Sequence, residues 1–199
     1  MSMVDPVSLS LSLGEPLYWV SLCVSTFIMG FAIKYIDAAY DEEAFSRKNA
    51  VLAAICCGVF MGYWIANDAS AAVFLLAICL GVAITKKIDN PAFILGILLA
   101  LFVPAILKST LILSWLPLAA LVIACVVDEE GNDMVKKIPF KGIRMFFHYR
   151  LSMEVMMAVL TFFGFFAWPY FLAFASFDLG YQMVTYYVDK KLNVQQEYA

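Results

Sequence analysis

The chain has 199 residues, of which 64% are hydrophobic and only 15% are charged. The core of a soluble protein of this length is too small to bury so many apolar side chains, so the composition predicts an integral membrane protein. The formal net charge of −3 leaves no unbalanced basic surface, which argues against a nucleic-acid partner.

Seven apolar runs approach the length of about 20 residues that a helix needs to cross a bilayer. The sequence lacks the alternating ten-residue pattern of a transmembrane barrel. We therefore predict an all-α, polytopic helical membrane protein whose residues 1–199 form one bundle domain, with a long cytoplasmic loop at 128–148. The predicted spans are 17–36, 50–66, 71–84, 91–107, 111–127, 149–167 and 168–188.

Two of the predicted boundaries rest on local signals. Asn90 followed by Pro91 is a helix start, with a capping residue before proline at the first helical position. The sixth and seventh spans are continuous in sequence, and we divide them between Ala167 and Trp168 because proline follows at residue 169.

The basic residues predict the orientation in the membrane. Twelve of the 13 Lys and Arg residues fall on one side of these spans, and Lys108 alone falls on the other. The positive-inside rule then places the amino terminus outside and the carboxyl terminus in the cytoplasm, in the plasma membrane. Residues 1–16 contain no basic residue and no suitable cleavage site, so we do not expect a cleavable signal peptide.

The cysteines fall inside the apolar runs. They are interpreted as small buried hydrophobic residues, and their spacing does not favour a zinc site. The five are Cys23, Cys56, Cys57, Cys79 and Cys125.

The end of the first span carries a group of charges. Lys34, Asp37 and Asp41 are spaced three and four residues apart, which places them on one helical face. Charge at a membrane boundary is costly, so such a group is a candidate binding site. The alternative is an ordinary helix end in which the lysine extends toward the lipid headgroups.

Similar charges end the other spans that run in the same direction. The segments GFAIKYID, GVAITKKID and TYYVD share a closing aspartate, which favours duplicated helix hairpins or convergence at an interface. The four terminal aspartates are Asp37, Asp89, Asp128 and Asp189.

The long loop reads DEEGNDMVKKIPFKGIRMFFH. Its second half mixes basic residues with phenylalanine, isoleucine and methionine, a composition typical of a segment that lies among lipid headgroups. A basic lid over a phosphate-bearing substrate is the alternative, and the two interpretations are compatible.

The two acidic segments also resemble those of a known family. Asp37 and Asp41 follow one span, and Asp128 to Asp133 follow another four helices later, with Lys137, Gly142 and Arg144 beyond them. This order resembles that of the UbiA-type intramembrane prenyltransferases, which have two aspartate-rich motifs at the cytoplasmic ends of helices four apart.

The resemblance implies a catalytic site that binds Mg²⁺ and an isoprenoid diphosphate. The metal would suit carboxylates combined with phosphate oxygens, and the enzyme would transfer the prenyl chain to a lipid-soluble acceptor. We expect the two acidic clusters to converge on one cytoplasmic pocket. The implied metal and catalytic residues are Asp37, Asp41, Asp128 and Asp133, and the implied phosphate contacts are Lys34, Lys137, Arg144 and Arg150.

Two other classes of function remain open. Glu154 and Asp178 lie on adjacent spans, the latter at mid-span, and acids at that depth also mark ion paths. A small transporter or cation channel built from duplicated hairpins is therefore an alternative to the enzyme, and a non-catalytic membrane scaffold is another.

Overall fold

The protein is described from a computed structural model, which covers residues 15–107, 110 and 112–197. Lys108 and the amino-terminal tail, both used above, lie outside the described residues. Those described form eight α-helices and no strand, which confirms the all-α prediction. The helices are α1 Glu15–Tyr40, α2 Arg47–Asn67, α3 Ala69–Ile84, α4 Pro91–Ile106, α5 Trp115–Asp133, α6 Lys141–His148, α7 Leu151–Phe162 and α8 Trp168–Glu197.

Each predicted apolar run contains or overlaps one helix. α1 and α2 are long and apolar enough to cross a membrane, whereas α3, α4 and α7 are apolar but have only 16, 16 and 12 residues. The predicted division between the last two runs holds, because α7 ends at Phe162 and α8 begins at Trp168.

The prediction of one long loop at 128–148 was wrong in part. α5 continues to Asp133, a 3-10 turn covers Val135–Lys137, and α6 follows at Lys141–His148. The extension of α5 has a physical reason, since Asp128 and Glu129 are buried and bonded to residues at the start of α7.

Polar caps set the starts of two helices. The Asn90 side chain accepts a hydrogen bond of 2.9 Å from the Phe93 amide, and Pro91 takes the first helical position as the sequence predicted. Asp68 caps α3 by accepting the amides of Ser70 and Ala71 at 2.8 and 2.9 Å.

Asp68 also joins three helices at one end of the bundle. Its second carboxylate oxygen accepts hydrogen bonds from the hydroxyls of Tyr18 on α1 and Tyr170 on α8, the latter at 2.9 Å. Because the carboxylate is only 6% exposed, these bonds replace the water that it would otherwise require. The starts of α1, α3 and α8 therefore lie at the same end.

α1 and α8 pack backbone against backbone. A Cβ added to Gly30 would lie 1.9 Å from the carbonyl oxygen of Phe177, and one added to Gly180 would lie 2.2 Å from that of Phe27. The buried Thr26 hydroxyl donates to the Ala173 carbonyl at 2.7 Å, which adds a polar contact to the same interface. Only glycine permits this approach of the two helices.

α2 and α4 form a second close pair through residues that repeat every four positions. Gly58 lies against Gly96, since a Cβ on the former would be 2.5 Å from the carbonyl oxygen of the latter. Stripes of small residues at this spacing are typical of helix pairs in membranes, where close van der Waals packing drives association. The stripes are Ala50, Ala54, Gly58 and Gly62 on α2, and Ala92, Gly96, Ala100 and Pro104 on α4.

Candidate functional site

The end of the bundle opposite Asp68 holds a group of charges that begins on α1. The Lys34 ammonium, in a residue only 9% exposed, donates to Asp37 at 2.6 Å and to Glu42 at 3.0 Å. Glu42 follows the end of α1, so the chain turns back toward the lysine. The predicted cation on this face is therefore bound to two carboxylates of its own segment.

A second ion pair joins the start of α7 to α5. The Arg150 guanidinium donates to Glu129, whose side chain is 6% exposed, while that of Arg150 is 25% exposed. Arg150 has the left-handed backbone conformation, with φ of 53° and ψ of 46°. Residues other than glycine are disfavoured in this backbone conformation, and the ion pair helps to offset its conformational free-energy cost.

Tyr181 on α8 lies between the two cations. Its ring centroid is 5.2 Å from the Arg150 guanidinium and 6.0 Å from the Lys34 ammonium, so both are within the range of cation–π attraction. The ring thus links the end of α1 to the start of α7.

Asp128 has a structural partner that the sequence did not reveal. Its two oxygens accept the backbone amides of Ser152 and Met153 at 2.8 and 2.9 Å, which caps the first turn of α7. Burial raises the pKa of this carboxyl above its ordinary value, and the amide hydrogen bonds act in the opposite direction.

The remaining acids form a more exposed rim. Asp133 accepts from the Lys87 ammonium at 2.7 and 2.8 Å, which ties α5 to the end of α3. Partial loss of hydration, together with the nearby carboxylates of Asp37 and Asp89, raises the pKa of Asp41. Burial raises the pKa of Glu129, and the Arg150 guanidinium and the Lys87 ammonium act in the opposite direction. The ends of α1 and α5 belong to one charge group, because Tyr181 contacts both Lys34 and Arg150 and Arg150 binds Glu129.

Two of the residues implied as phosphate contacts lie apart from this group. Lys137, in the 3-10 turn, and Arg144, on α6, are both exposed. Lys34 and Arg150, by contrast, lie inside the group with carboxylate partners.

Three of the four aspartates implied as magnesium ligands already have partners within the protein. Both oxygens of Asp128 bind amides, both of Asp133 bind Lys87, and Asp37 binds Lys34. Across the part of the chain that the structure describes, no group of three His, Cys, Asp or Glu side chains is arranged to hold a metal ion. A magnesium ion bound by these residues would therefore have to displace existing partners of Asp37, Asp128 and Asp133.

A cavity of about 70 Å³ lies beneath these charges, between α1, α3, α5, α7 and α8. Each water in such a space needs at least about 10–15 Å³, so there is room for a few waters or one small cation. Three carboxylates and a single guanidinium reach it, so its charged lining is predominantly acidic. The polar lining residues are Asp128, Glu129, Arg150, Asp178 and Tyr181.

A second, apolar cavity of about 50 Å³ adjoins the first. It lies between α1, α2, α3 and α4 beside the stripes of small residues, and its lining includes Gly58 and Gly96. Ile33, Ile78 and Val82 line both cavities. The shared residues place an apolar and an acidic space side by side.

No family model, curated protein or solved structure matches this chain.

The most informative residues of the site carry weak sequence signals. Glu129 is one of two adjacent glutamates in DEEGND, and only the helical phase of α5 makes it the one that meets Arg150. Tyr181 is one tyrosine among ten in the chain. Neither a spacing nor a motif distinguishes them.

Proposed function

We propose that the chain is a multi-pass membrane protein with seven spans, its amino terminus outside the plasma membrane and its carboxyl terminus in the cytoplasm. Large apolar side chains cover its outer surface, and examples on three helices are Val20, Leu52 and Leu98, which are 56%, 62% and 59% exposed. Exposed apolar surface on several helices marks a membrane or partner interface rather than a face that meets water.

The distance between the two polar ends supports this placement. Tyr18 and Lys34 are 16 residues apart on α1, which corresponds to about 24 Å along a helix axis. The hydrocarbon core of a bilayer is about 30 Å thick, and modest thinning accommodates a difference of this size. The same thinning would serve the short helices α3 and α4.

Cysteine labelling tests the topology. Ser46 precedes α2, and Thr110 follows α4 at the opposite end of the bundle. We expect Thr110→Cys to react with a membrane-impermeant maleimide in intact cells. Ser46→Cys should react only after the cells are permeabilised. The parent chain carries Cys23→Ala and Cys56→Ala, which removes the cysteines that retain exposure. Labelling of both positions from the same side would contradict the seven spans.

We infer that the acidic cavity binds a proton or small cation and that the bundle moves it across the membrane. The observation that carries this inference is Asp178, which lines the cavity and has, among the described residues, only a long hydrogen bond of 3.5 Å from Gln182. The other two acids of the lining are engaged, since Asp128 binds two backbone amides and Glu129 binds Arg150. Asp178 is the eleventh residue of α8, deep in the proposed span. Ionisable groups at such depth are costly and are found mainly on ion and substrate paths.

Further polar groups lie along the same helices. Tyr170, bonded to Asp68 near the outer end, is eight residues from Asp178, or about 12 Å along α8. Phe174 and Phe177 lie between them with ring centroids 6.2 Å apart. A hydrophobic constriction of this kind closes a polar path, so transport would require these rings to move.

Thermal stability tests the binding step. A cation that binds only the folded cavity should stabilise it by about 2.7 kcal/mol at a concentration of about 100 Kd. We expect one of Na⁺, K⁺, Ca²⁺ or H⁺ to raise the unfolding temperature in detergent, and Asp178→Asn to remove most of that rise. Asp189→Asn, an exposed acid on the same helix, serves as the matched control and should keep it. An equal rise in unfolding temperature in Asp178→Asn and Asp189→Asn would contradict a site at Asp178.

Prenyl diphosphate binding is the second candidate. The observation in its favour is that the apolar cavity adjoins the acidic one. The same thermal measurement distinguishes the two functions. Stabilisation that requires both magnesium and a prenyl diphosphate, and that Asp37→Asn removes, would favour the transferase over the ion path.

A further inference from the structure

α6 is a short amphipathic helix that the proposed ion path does not use. Ile143 and Phe147 are four residues apart on one face, while Lys141, Arg144 and His148 follow at spacings of three and four on another. All eight of its residues retain exposed surface, so the apolar face has only partial cover from the bundle.

One aromatic ring attaches α6 to the bundle. A Cβ on Gly131 of α5 would lie 2.1 Å from the ring of Phe147, which shows that the ring rests directly on that backbone. Ile143 remains 50% exposed, and Phe140, just before the helix, is 69% exposed. The uncovered apolar side chains thus lie at the end of the bundle that carries Lys34 and Arg150.

The charged residues within this segment of the sequence are all of one sign. From Met134 to Met153 the sequence contains five Lys or Arg residues and no acid. Basic residues flanking an apolar helix face are complementary to a bilayer surface that carries anionic headgroups.

We propose that α6 docks on the anionic surface of the membrane, with Phe140 and Ile143 among the acyl chains near the headgroups and Lys137, Lys141 and Arg144 at the lipid phosphates. The proposal rests on the multi-pass insertion proposed above, but it requires neither ion transport nor prenyl transfer. It assigns to this segment a lipid partner and a preference for negative charge.

A nitroxide at Gly142→Cys measures the docking, since a Cβ there has open space within 4 Å among the described residues. The label is placed in the Cys23→Ala and Cys56→Ala background, and the full chain is reconstituted in nanodiscs of phosphatidylcholine, alone or mixed with phosphatidylglycerol. We expect the label to become less accessible to a water-soluble nickel chelate and more accessible to oxygen when phosphatidylglycerol is present.

Neutralising three basic residues tests the charge dependence. Lys137→Gln, Lys141→Gln and Arg144→Gln together should shift the docking equilibrium by on the order of a hundredfold, because each basic residue near an anionic surface contributes about fivefold. The matched control neutralises Arg47, Lys48 and Lys190, which are exposed and lie outside α6. This control variant should leave the accessibility of the label unchanged from that in the parent chain.

Three outcomes would overturn the proposal: equal accessibility in both lipid mixtures, equal effects of the two triple variants, or a label that responds to inorganic diphosphate and not to lipid charge. The last would identify α6 as a lid over a soluble anion. A failure of membrane insertion would be recognised separately, since Ser46→Cys and Thr110→Cys would then be labelled from the same side.

Discussion

Gly30→Ala is expected to destabilise the protein by about 3 kcal/mol, at the upper end of the range for overpacked sites. The added methyl group would lie 1.9 Å from the Phe177 carbonyl oxygen, and neither backbone can move without separating α1 from α8. Gly180→Ala should have a similar effect because its Cβ would meet the Phe27 carbonyl oxygen at 2.2 Å. Reversible unfolding in mixed micelles, titrated with a denaturing detergent, provides the measurement.

Gly142→Ala is the control for this series. It makes the same substitution in a helix where the Cβ meets open space among the described residues, so its stability should match or slightly exceed that of the parent. If Gly30→Ala and Gly142→Ala unfolded at the same detergent fraction, the close packing of α1 on α8 would be wrong.

Arg150→Met is expected to cost about 3–5 kcal/mol, the range measured when one partner of a buried ion pair is removed. It leaves the Glu129 carboxylate, in a side chain 6% exposed, without its guanidinium. Methionine is chosen because, like arginine, it has a Cβ that disfavours the left-handed backbone of residue 150, so the difference reports the lost charge. Adding Glu129→Gln should recover part of the loss, since the two substitutions act on one pair.

A surface ion pair supplies the comparison. Arg47 and Glu43 are 3.3 Å apart, with side chains 61% and 80% exposed. Arg47→Met should change stability by less than about 1 kcal/mol, because exposed pairs contribute little. Similar losses for Arg150→Met and Arg47→Met would mean that the Arg150 pair is hydrated and that the charge group is not a buried element of the fold.

Much of the helical framework follows from one-dimensional signals. The lengths of the apolar runs locate α1 to α5, and the pair Asn90 and Pro91 fixes the start of α4, because each depends only on local sequence. Successive helices run in opposite directions, so α3 and α5 finish at the same end of the bundle. Lys87, just after α3, can therefore meet Asp133 on α5.

The partners within the site depend on tertiary contacts that no local pattern contains. Asp128 was interpreted as a metal ligand, but its oxygens cap α7, and this requires the chain to turn at Arg150 into the left-handed region. A residue with a Cβ is an unexpected choice for that turn, so the sequence does not indicate it. The end of α7 had a local signal that the span prediction did not use, since Gly164, with φ of 79°, follows the C-cap residue Phe163.

Proton or cation flux into proteoliposomes is the most direct test of the central claim, that the acidic cavity belongs to an ion path across a multi-pass bundle. The purified chain is reconstituted with a pH-sensitive or cation-sensitive dye inside, and a membrane potential is imposed. We expect flux above that of protein-free liposomes, retained by Asp189→Asn and reduced to the protein-free rate by Asp178→Asn. Flux no greater than that of empty liposomes, or an Asp178→Asn variant as active as the parent, would contradict it.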